Sequence, residues 1–231
     1  MFSSDNLDSA VVPKLAATII LVRDSSNGIE VLITKRNSKA SFLGGFWVFP
    51  GGGVEAEDAG DTTLDTLKNA AARETREEAG LIVNTNDLLY VSQWITPPGP
   101  PKRYDTHFFI VPATEDVVDI DGHEVVDAEW VTAASAIELH ENGQIEMMPP
   151  TLLSFMGIQS CERVDDVVAR YQNKPPFSIS PKPCFAGDQL VMLYPGDTGF
   201  DVGEPAEAAL MHRCLHVNGT WQYINTIGFE L

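Results

Sequence analysis

Residues 73–81 read RETREEAGL. On a helix, Glu74, Glu77 and Glu78 stand at i, i+3 and i+4 and share one face. Two unit charges about 4 Å apart repel by roughly 4 kcal/mol at an effective dielectric near 20. Such crowding calls for open solvent or a bound cation. Upstream, FPGGG (49–53) supplies glycines that let the backbone approach a ligand closely. Hard cations such as Mg²⁺ take oxygen ligands, typically carboxylates together with waters and substrate phosphates. The two stretches together describe a site for a metal-associated diphosphate. A solvated acidic helix face is the bland explanation of RETREEAGL. It accounts neither for the glycines nor for Gly80, which stands where a left-handed helix terminator belongs.

The elements around these residues follow from pattern. LAATIILV (15–22) reads as a buried strand, and IEVLITKR (29–36) follows it across RDSSNG, where Asn27-Gly28 signals a hairpin. FWVFP is a short strand stopped by Pro50. Thr62 or Thr63 caps a helix running to Ala79. LLYVSQWIT (88–96) and THFFIVPA (106–113) are strands joined by a Pro-rich loop, and AEWVTA (128–133) is another. ASAIELHENG reads as a helix closing at Gly143, and PPTLLSFMGI as a second with Pro150 in its first turn. ERVDDVVARYQ continues the helical region. Beyond Pro175 the chain alternates like strands, with HVNGTW as a second Asn-Gly hairpin. The expectation is an α+β fold with a mixed sheet and helices on its faces.

The chain has 231 residues, 44% of them apolar, enough for one large domain with an appendage. Its net charge of −18 argues against nucleic acid or an anionic membrane surface as a partner. Three widely spaced cysteines without a CxxC read as free thiols in a reducing compartment. The N-terminus has no signal-peptide pattern, and no apolar run is long enough to span a membrane. The expected location is cytoplasmic.

These motifs resemble the signature of the Nudix hydrolases: a Gly, five residues, Glu, seven residues, Arg-Glu, an apolar residue, any residue, Glu-Glu, any residue, Gly, an apolar residue. RETREEAGL matches its second half with one departure, Thr75 in the apolar place. The first half departs. Counting back from Arg73 puts Asp65 at the Glu position and Ala59 at the Gly position, so the glycines of FPGG lie seven residues too far upstream. An insertion in VEAEDAGDTT explains the shift. It leaves Glu55, Glu57 and Asp65 as alternatives for the upstream acid and assigns the Gly role to Gly51 or Gly52. The resemblance covers roughly residues 14–160, between an N-terminal arm (1–13) and a helical linker with a β-rich extension (161–231).

The resemblance implies a Nudix-type α/β/α sandwich and a hydrolase that uses Mg²⁺ or Mn²⁺. Glu77 and Glu78 would ligate the metal, with Glu74 a further ligand or the base near the attacking water. Arg73 would orient these carboxylates. Glu74, Arg73 and Glu77 are thus the catalytic candidates, and a carbonyl of Gly51 or Gly52 completes the metal shell. Of Glu124 and Glu129, Glu124 is favoured as a ligand outside the signature.

The implied substrate is a small molecule in which a nucleoside diphosphate is linked to another moiety. Residues 94–109, 128–137 and 147–155 are similar to the Nudix branch that includes peroxisomal CoA diphosphatases, which points to CoA or acyl-CoA. Ser41 stands where the CoA branch usually carries Arg. Arg36 and Arg103, the latter beside Lys102, are the candidate phosphate contacts. Trp47, Trp94, Tyr104 and Phe108 either stack on an adenine or pack in the core. The histidines are assigned no catalytic role. His212 and His216 lie about 13 Å apart along a strand, too far for one metal. The competing classes are an inactive nucleotide-binding Nudix module, and a structural protein assembling, as a homodimer for example, through its extension.

Overall fold

The computed structural model describes residues 11–114, 117–206 and 210–231. In chain order the elements are β1 (Lys14–Ser25), β2 (Gly28–Arg36), β3 (Trp47–Val48), β4 (Gly51–Gly53), α1 (Thr63–Ala79), β5 (Leu89–Ile95), β6 (Tyr104–Pro112) and β7 (Val125–Thr132). They continue with α2 (Ala133–Glu141), α3 (Pro149–Ile158), α4 (Val164–Gln172), β8 (Phe177–Ile179), β9 (Lys182–Ala186), β10 (Gln189–Leu193), β11 (His212–Val217) and β12 (Thr220–Asn225). The main sheet runs β3-β2-β1-β6-β5-β8, with β4 also on β1 and β7 also on β2. It is mixed: β1 and β6 are parallel, as are β5 and β8, and the other pairs are antiparallel. A second, antiparallel sheet runs β12-β11-β10-β9.

The centre of the main sheet is β1, buried on both faces, which is why its sequence is almost wholly apolar. Ala17, Ile19 and Leu21 face α1 and meet Leu67, Ala70 and Ala71. Ile20 and Val22 face the other way, in a core shared with Leu152 and Phe155 of α3 and Val167 of α4. The α+β sandwich expected from the sequence is therefore the fold found, with the extension adding a sheet of its own.

Local chemistry sets the turns. Val217 pairs with Thr220, and both hairpin residues take positive φ, Asn218 at +51° and Gly219 at +90°. The first hairpin turns one residue earlier than Asn27-Gly28 suggests. Ser25 pairs with Gly28, leaving Ser26 and Asn27 as the loop, and Gly28 alone takes φ +102°. The short strands β8 and β9 fall within the β-rich stretch expected beyond Pro175. β8 joins the main sheet beside β5 rather than the second sheet.

His140 ties α2 to the second sheet. Its Nε2 accepts the Trp221 backbone N–H at 2.9 Å, and its Nδ1 donates to the Ile145 carbonyl at 3.2 Å. Burial keeps this imidazole neutral and pulls its pKa below 6.5, outweighing its two backbone contacts. In the unfolded chain His140 takes up a proton near its ordinary value of 6.5. The folded state therefore loses stability as pH falls through that value. Replacing His140 by Ala strands a buried N–H and costs about 1–3 kcal/mol at pH 8. The gap between wild type and variant, measured by denaturant unfolding, narrows as pH falls below 6.5. A gap that widens would contradict the assignment.

Candidate active site

Helix α1 starts with a reciprocal cap. Thr62 Oγ1 accepts the Asp65 N–H at 3.1 Å, and Asp65 Oδ2 accepts the Thr62 N–H at 3.1 Å. It ends at Gly80, φ +70°, whose N–H bonds the Arg76 carbonyl at 3.0 Å. Between these ends the buried stripe Leu67, Ala70, Ala71 continues into the partly buried Glu74 and the buried Glu78. The carboxylates thus occupy the last two turns of a face that is otherwise core. Thr75, the departure from the signature, is fully buried, and its hydroxyl donates to the Ala71 carbonyl at 2.8 Å, so it packs as an apolar residue would.

The glycine strand β4 lies directly against these carboxylates. A Cβ on Gly52 would sit 2.4 Å from the Glu74 carboxyl carbon, and one on Gly51 would sit 2.5 Å from the Ala17 carbonyl oxygen. Thr18 fixes the bend by donating to the Pro50 carbonyl at 2.6 Å. The Gly51 N–H then points at Glu78 and donates to its Oε2 at 3.0 Å. Arg36 Nη1 stands 3.6 Å from the other oxygen of Glu78.

Arg73 is the hub. Its Nη1 donates to Glu74 Oε1 at 2.9 Å and Glu77 Oε2 at 3.0 Å, and its Nη2 donates to the Gly53 carbonyl at 3.0 Å. Nε and Nη2 grip Asp58 at 2.9 and 3.0 Å. Asp58 is the upstream acid that sequence reasoning missed. Of the three alternatives considered, Asp65 caps α1, Glu57 is exposed and stands 3.8 Å from Arg73, and Glu55 contributes its backbone N–H to Asp58 at 2.8 Å. The inserted loop folds into a one-turn helix over Ala56–Asp58, and that turn delivers the carboxylate.

Electrostatics follow burial. Burial alone would raise the Asp58 carboxyl, but Arg73 and the Glu55 N–H outweigh it and hold it below its ordinary value. Glu74 is pushed up, by burial first, with Glu77 and Glu124 adding repulsion against the pull of Arg73. Glu78 is pushed up to about 7, again by burial first, with Glu74 and Glu124 adding to it while Gly51 and Arg36 oppose. Glu124 is therefore close enough to be felt by both. Glu77 is different: its side chain is half exposed.

These groups border a cleft of about 800 Å³. Glu74, Glu77, Glu124, Arg36, Gly51 and Gly52 line it, while Glu78 sits one layer behind. Glu129 is not among its walls. The basic pair divides. Lys102 reaches the cleft and donates to Ser41 Oγ at 2.6 Å. Arg103 does not, because its guanidinium is taken up by the Thr96 and Val11 carbonyls at 2.9 and 2.6 Å. Trp94, Tyr104 and Phe108 line the cleft, whereas Trp47 is core. Arg36 Nε is buried and has no partner among the described residues.

The donor set beside the cleft is all hard oxygen, and its carboxylates repel one another, so the residues fit a divalent cation that keeps some of its waters. Among the described residues no His, Cys, Asp or Glu side chains already form a closed ligand group. Arg73 and the Gly51 N–H hold the carboxylates in the open array seen here.

A mixed sheet between helices, with a glycine strand against an acidic helix end, presents an oxygen-rich cleft suited to a phosphoric anhydride. The sequence matches the NUDIX domain family over residues 12–150, more than half of the chain, and the protein belongs to that family of hydrolases acting on nucleoside diphosphate derivatives, which generally use divalent metal ions. It is 23% identical over 219 residues to "Putative nudix hydrolase 7" of Caenorhabditis elegans, covering 79% of this chain and 72% of that protein. A Nudix hydrolase from Alicyclobacillus acidocaldarius shares the fold at TM-score 0.65 and 23% identity, over 72% of this chain and all of that one. The Nudix domain of Shewanella oneidensis NrtR, solved with ADP ribose, superposes at TM-score 0.50 and 15% identity, over 63% of this chain and 86% of that one.

The Asp58 assignment is tested by stability. Asp58→Ala removes two charge-assisted hydrogen bonds of the Arg73 guanidinium and costs about 2–3 kcal/mol in denaturant unfolding. A near-zero change would return the anchoring role to Glu57 or Asp65.

Proposed function

We propose that the cleft hydrolyses a diphosphate joining a nucleoside to a second moiety, with CoA or acyl-CoA as the preferred class. One observation carries the reading. Two carboxylates, the buried Glu78 and the partly buried Glu74, stand beside a glycine bend with their pKa values raised, and a cationic side chain, Arg36, stands next to Glu78. An isolated acidic surface helix has no reason to bury its charges.

Glu74, Glu77 and Glu78, joined by Glu124, would hold Mg²⁺ or Mn²⁺. When bound, the ion supplies positive charge against developing phosphate negative charge and lowers the pKa of water. Glu74, a further ligand or the base, lines the cleft where it would take the proton of the attacking water. Arg73 touches no substrate and orients Glu74 and Glu77 through one shared nitrogen. Arg36, beside Glu78, and Lys102, both lining the cleft, meet substrate phosphates, with Gly51 and Gly52 allowing close approach. The CoA preference rests on the likeness of residues 94–109, 128–137 and 147–155 to the CoA diphosphatase branch. ADP-ribose is the second substrate to test.

The catalytic unit spans 14–160, with the arm before it and the extension from 161 after it. Among the described residues no helix is long and apolar enough to cross a membrane. Free thiols at Cys161, Cys184 and Cys214 accord with a reducing cytoplasm, and the acidic chain with a small-molecule substrate rather than nucleic acid.

A panel of CoA, acyl-CoA, ADP-ribose and NADH, assayed with and without Mg²⁺ or Mn²⁺ and with products identified by mass, tests the reading. Turnover of none would overturn it. Glu78→Gln keeps the fold and lowers turnover by about a hundredfold or more, since a lost ligand charge removes several kcal/mol of transition-state stabilisation. Wild-type rates at saturating metal would refute the ligand assignment. Lys102→Ala raises KM several-fold with little change in kcat, as lost uniform binding does. Arg103→Ala leaves KM unchanged and lowers thermal stability instead; the reverse pattern would put Arg103 in the cleft.

A further inference from the structure

The family match ends at residue 150, yet a wall of the cleft is held by chain from beyond it. Strand β8 runs parallel to β5, with Phe177 opposite Ser92 and Ile179 opposite Trp94. The Phe177 ring meets the Trp94 indole edge-on, centroids 6.2 Å apart at 81°. Tyr194, just after β10, meets the same indole edge-on at 5.7 Å and 83°. Tyr194 is fully buried and is braced in turn by His212 at 5.1 Å. Phe229 stacks on His212 at 4.5 Å and meets Phe177 at 5.3 Å, closing a ring of contacts around the clamp.

Trp94 is 4% exposed, and the remainder of its surface lies in the cleft, near Tyr104 and Phe108. Its Nε1 is buried and has no hydrogen-bond partner among the described residues. No polar contact there fixes the rotation of the indole. Ring packing must do so, and the rings that supply it include two from the extension. Edge-to-face geometry is directional, so the clamp specifies an orientation rather than mere burial.

We propose that Phe177 and Tyr194 are positioning residues that hold Trp94 as one wall of the cleft, so that the extension sets which groups attached to the diphosphate are accepted. The wall is aromatic, and the group it selects is one that presents apolar surface. The inference rests on the preceding reading of the cleft as a diphosphatase site.

The test compares Phe177→Ala, Tyr194→Ala and the ring-preserving Tyr194→Phe against wild type on CoA, ADP-ribose, NADH and UDP-glucose. The two Ala variants shift the ratio of kcat/KM among these compounds by about tenfold, chiefly through KM, the size expected of a reshaped apolar pocket. Tyr194→Phe stays within about twofold of wild type on every compound, a threshold near the smallest kinetic difference worth interpreting. An equal loss across all four compounds, or no rescue by Phe, overturns the inference. Should Tyr194→Ala fail to fold, Phe177→Ala, at a half-buried position, carries the test. Should wild type hydrolyse none of the four, the diphosphatase reading fails by itself. The same variants are then compared by calorimetric binding of the same compounds, where a uniform change overturns the positioning role and a selective one supports it.

Discussion

The site depends on one unfavourable act: Glu78 is taken out of water, and Glu74 partly so, next to each other. Desolvating a carboxylate costs several kcal/mol even after relaxation, and repulsion between the pair adds to that. The fold offsets the cost with groups from separate elements. The Gly51 N–H comes from β4, Arg36 from the end of β2, and Arg73 from α1 itself. Each of these needs an anchor in turn. Thr18 on β1 holds the glycine bend through Pro50, and Asp58 with the Gly53 carbonyl holds Arg73. The result is a set of dependencies in which moving β1, β2 or β4 disturbs the groups that hold the carboxylates. That is the mechanical meaning of a preorganised site.

Helix α1 was legible in the sequence because its signals are local. The Thr62 cap, the apolar stripe and Gly80 act within one turn of where they stand. Its placement against the glycines was legible from the resemblance, and Gly52 shows the physical reason, since any side chain there would collide with Glu74. Asp58 was not legible. The insertion separates chain position from spatial position, and a one-turn helix of three residues carries no periodic pattern. Nor was the division between Lys102 and Arg103. Adjacent residues on a loop point apart, and which one faces the cleft is decided by the carbonyls that claim Arg103. β8, three residues long, is defined by the edge of β5 that it covers rather than by its own composition.

The buried polar groups divide into satisfied and unsatisfied ones. Asp197 and Arg213 are both buried and bond at 2.6 and 2.7 Å, with Asp197 also accepting from the Gly199 and His212 backbones. That pair is satisfied and serves the extension. Unsatisfied side-chain atoms occur, among the described residues, both at the cleft, in Trp94 Nε1 and Arg36 Nε, and in the extension, in the Tyr194 and Tyr223 hydroxyls and His212 Nε2. Unpaired buried groups cost free energy, and only the two at the cleft stand where a substrate could complete them.

Two additions to one frame, the inserted turn before α1 and the extension from residue 161, reach the same cleft by different physics. The insertion works through charge. A guanidinium needs a carboxylate in its plane at the right distance and is indifferent to which loop position supplies it. Asp58 can therefore serve Arg73 although the spacing between them departs from the family signature. The extension works through shape. An indole without a hydrogen bond takes its orientation from whatever rings pack around it, so changing Phe177 or Tyr194 reshapes a wall without touching a carboxylate. Chemistry and selectivity are thus assigned to different parts of the chain, and either can vary while the other is kept.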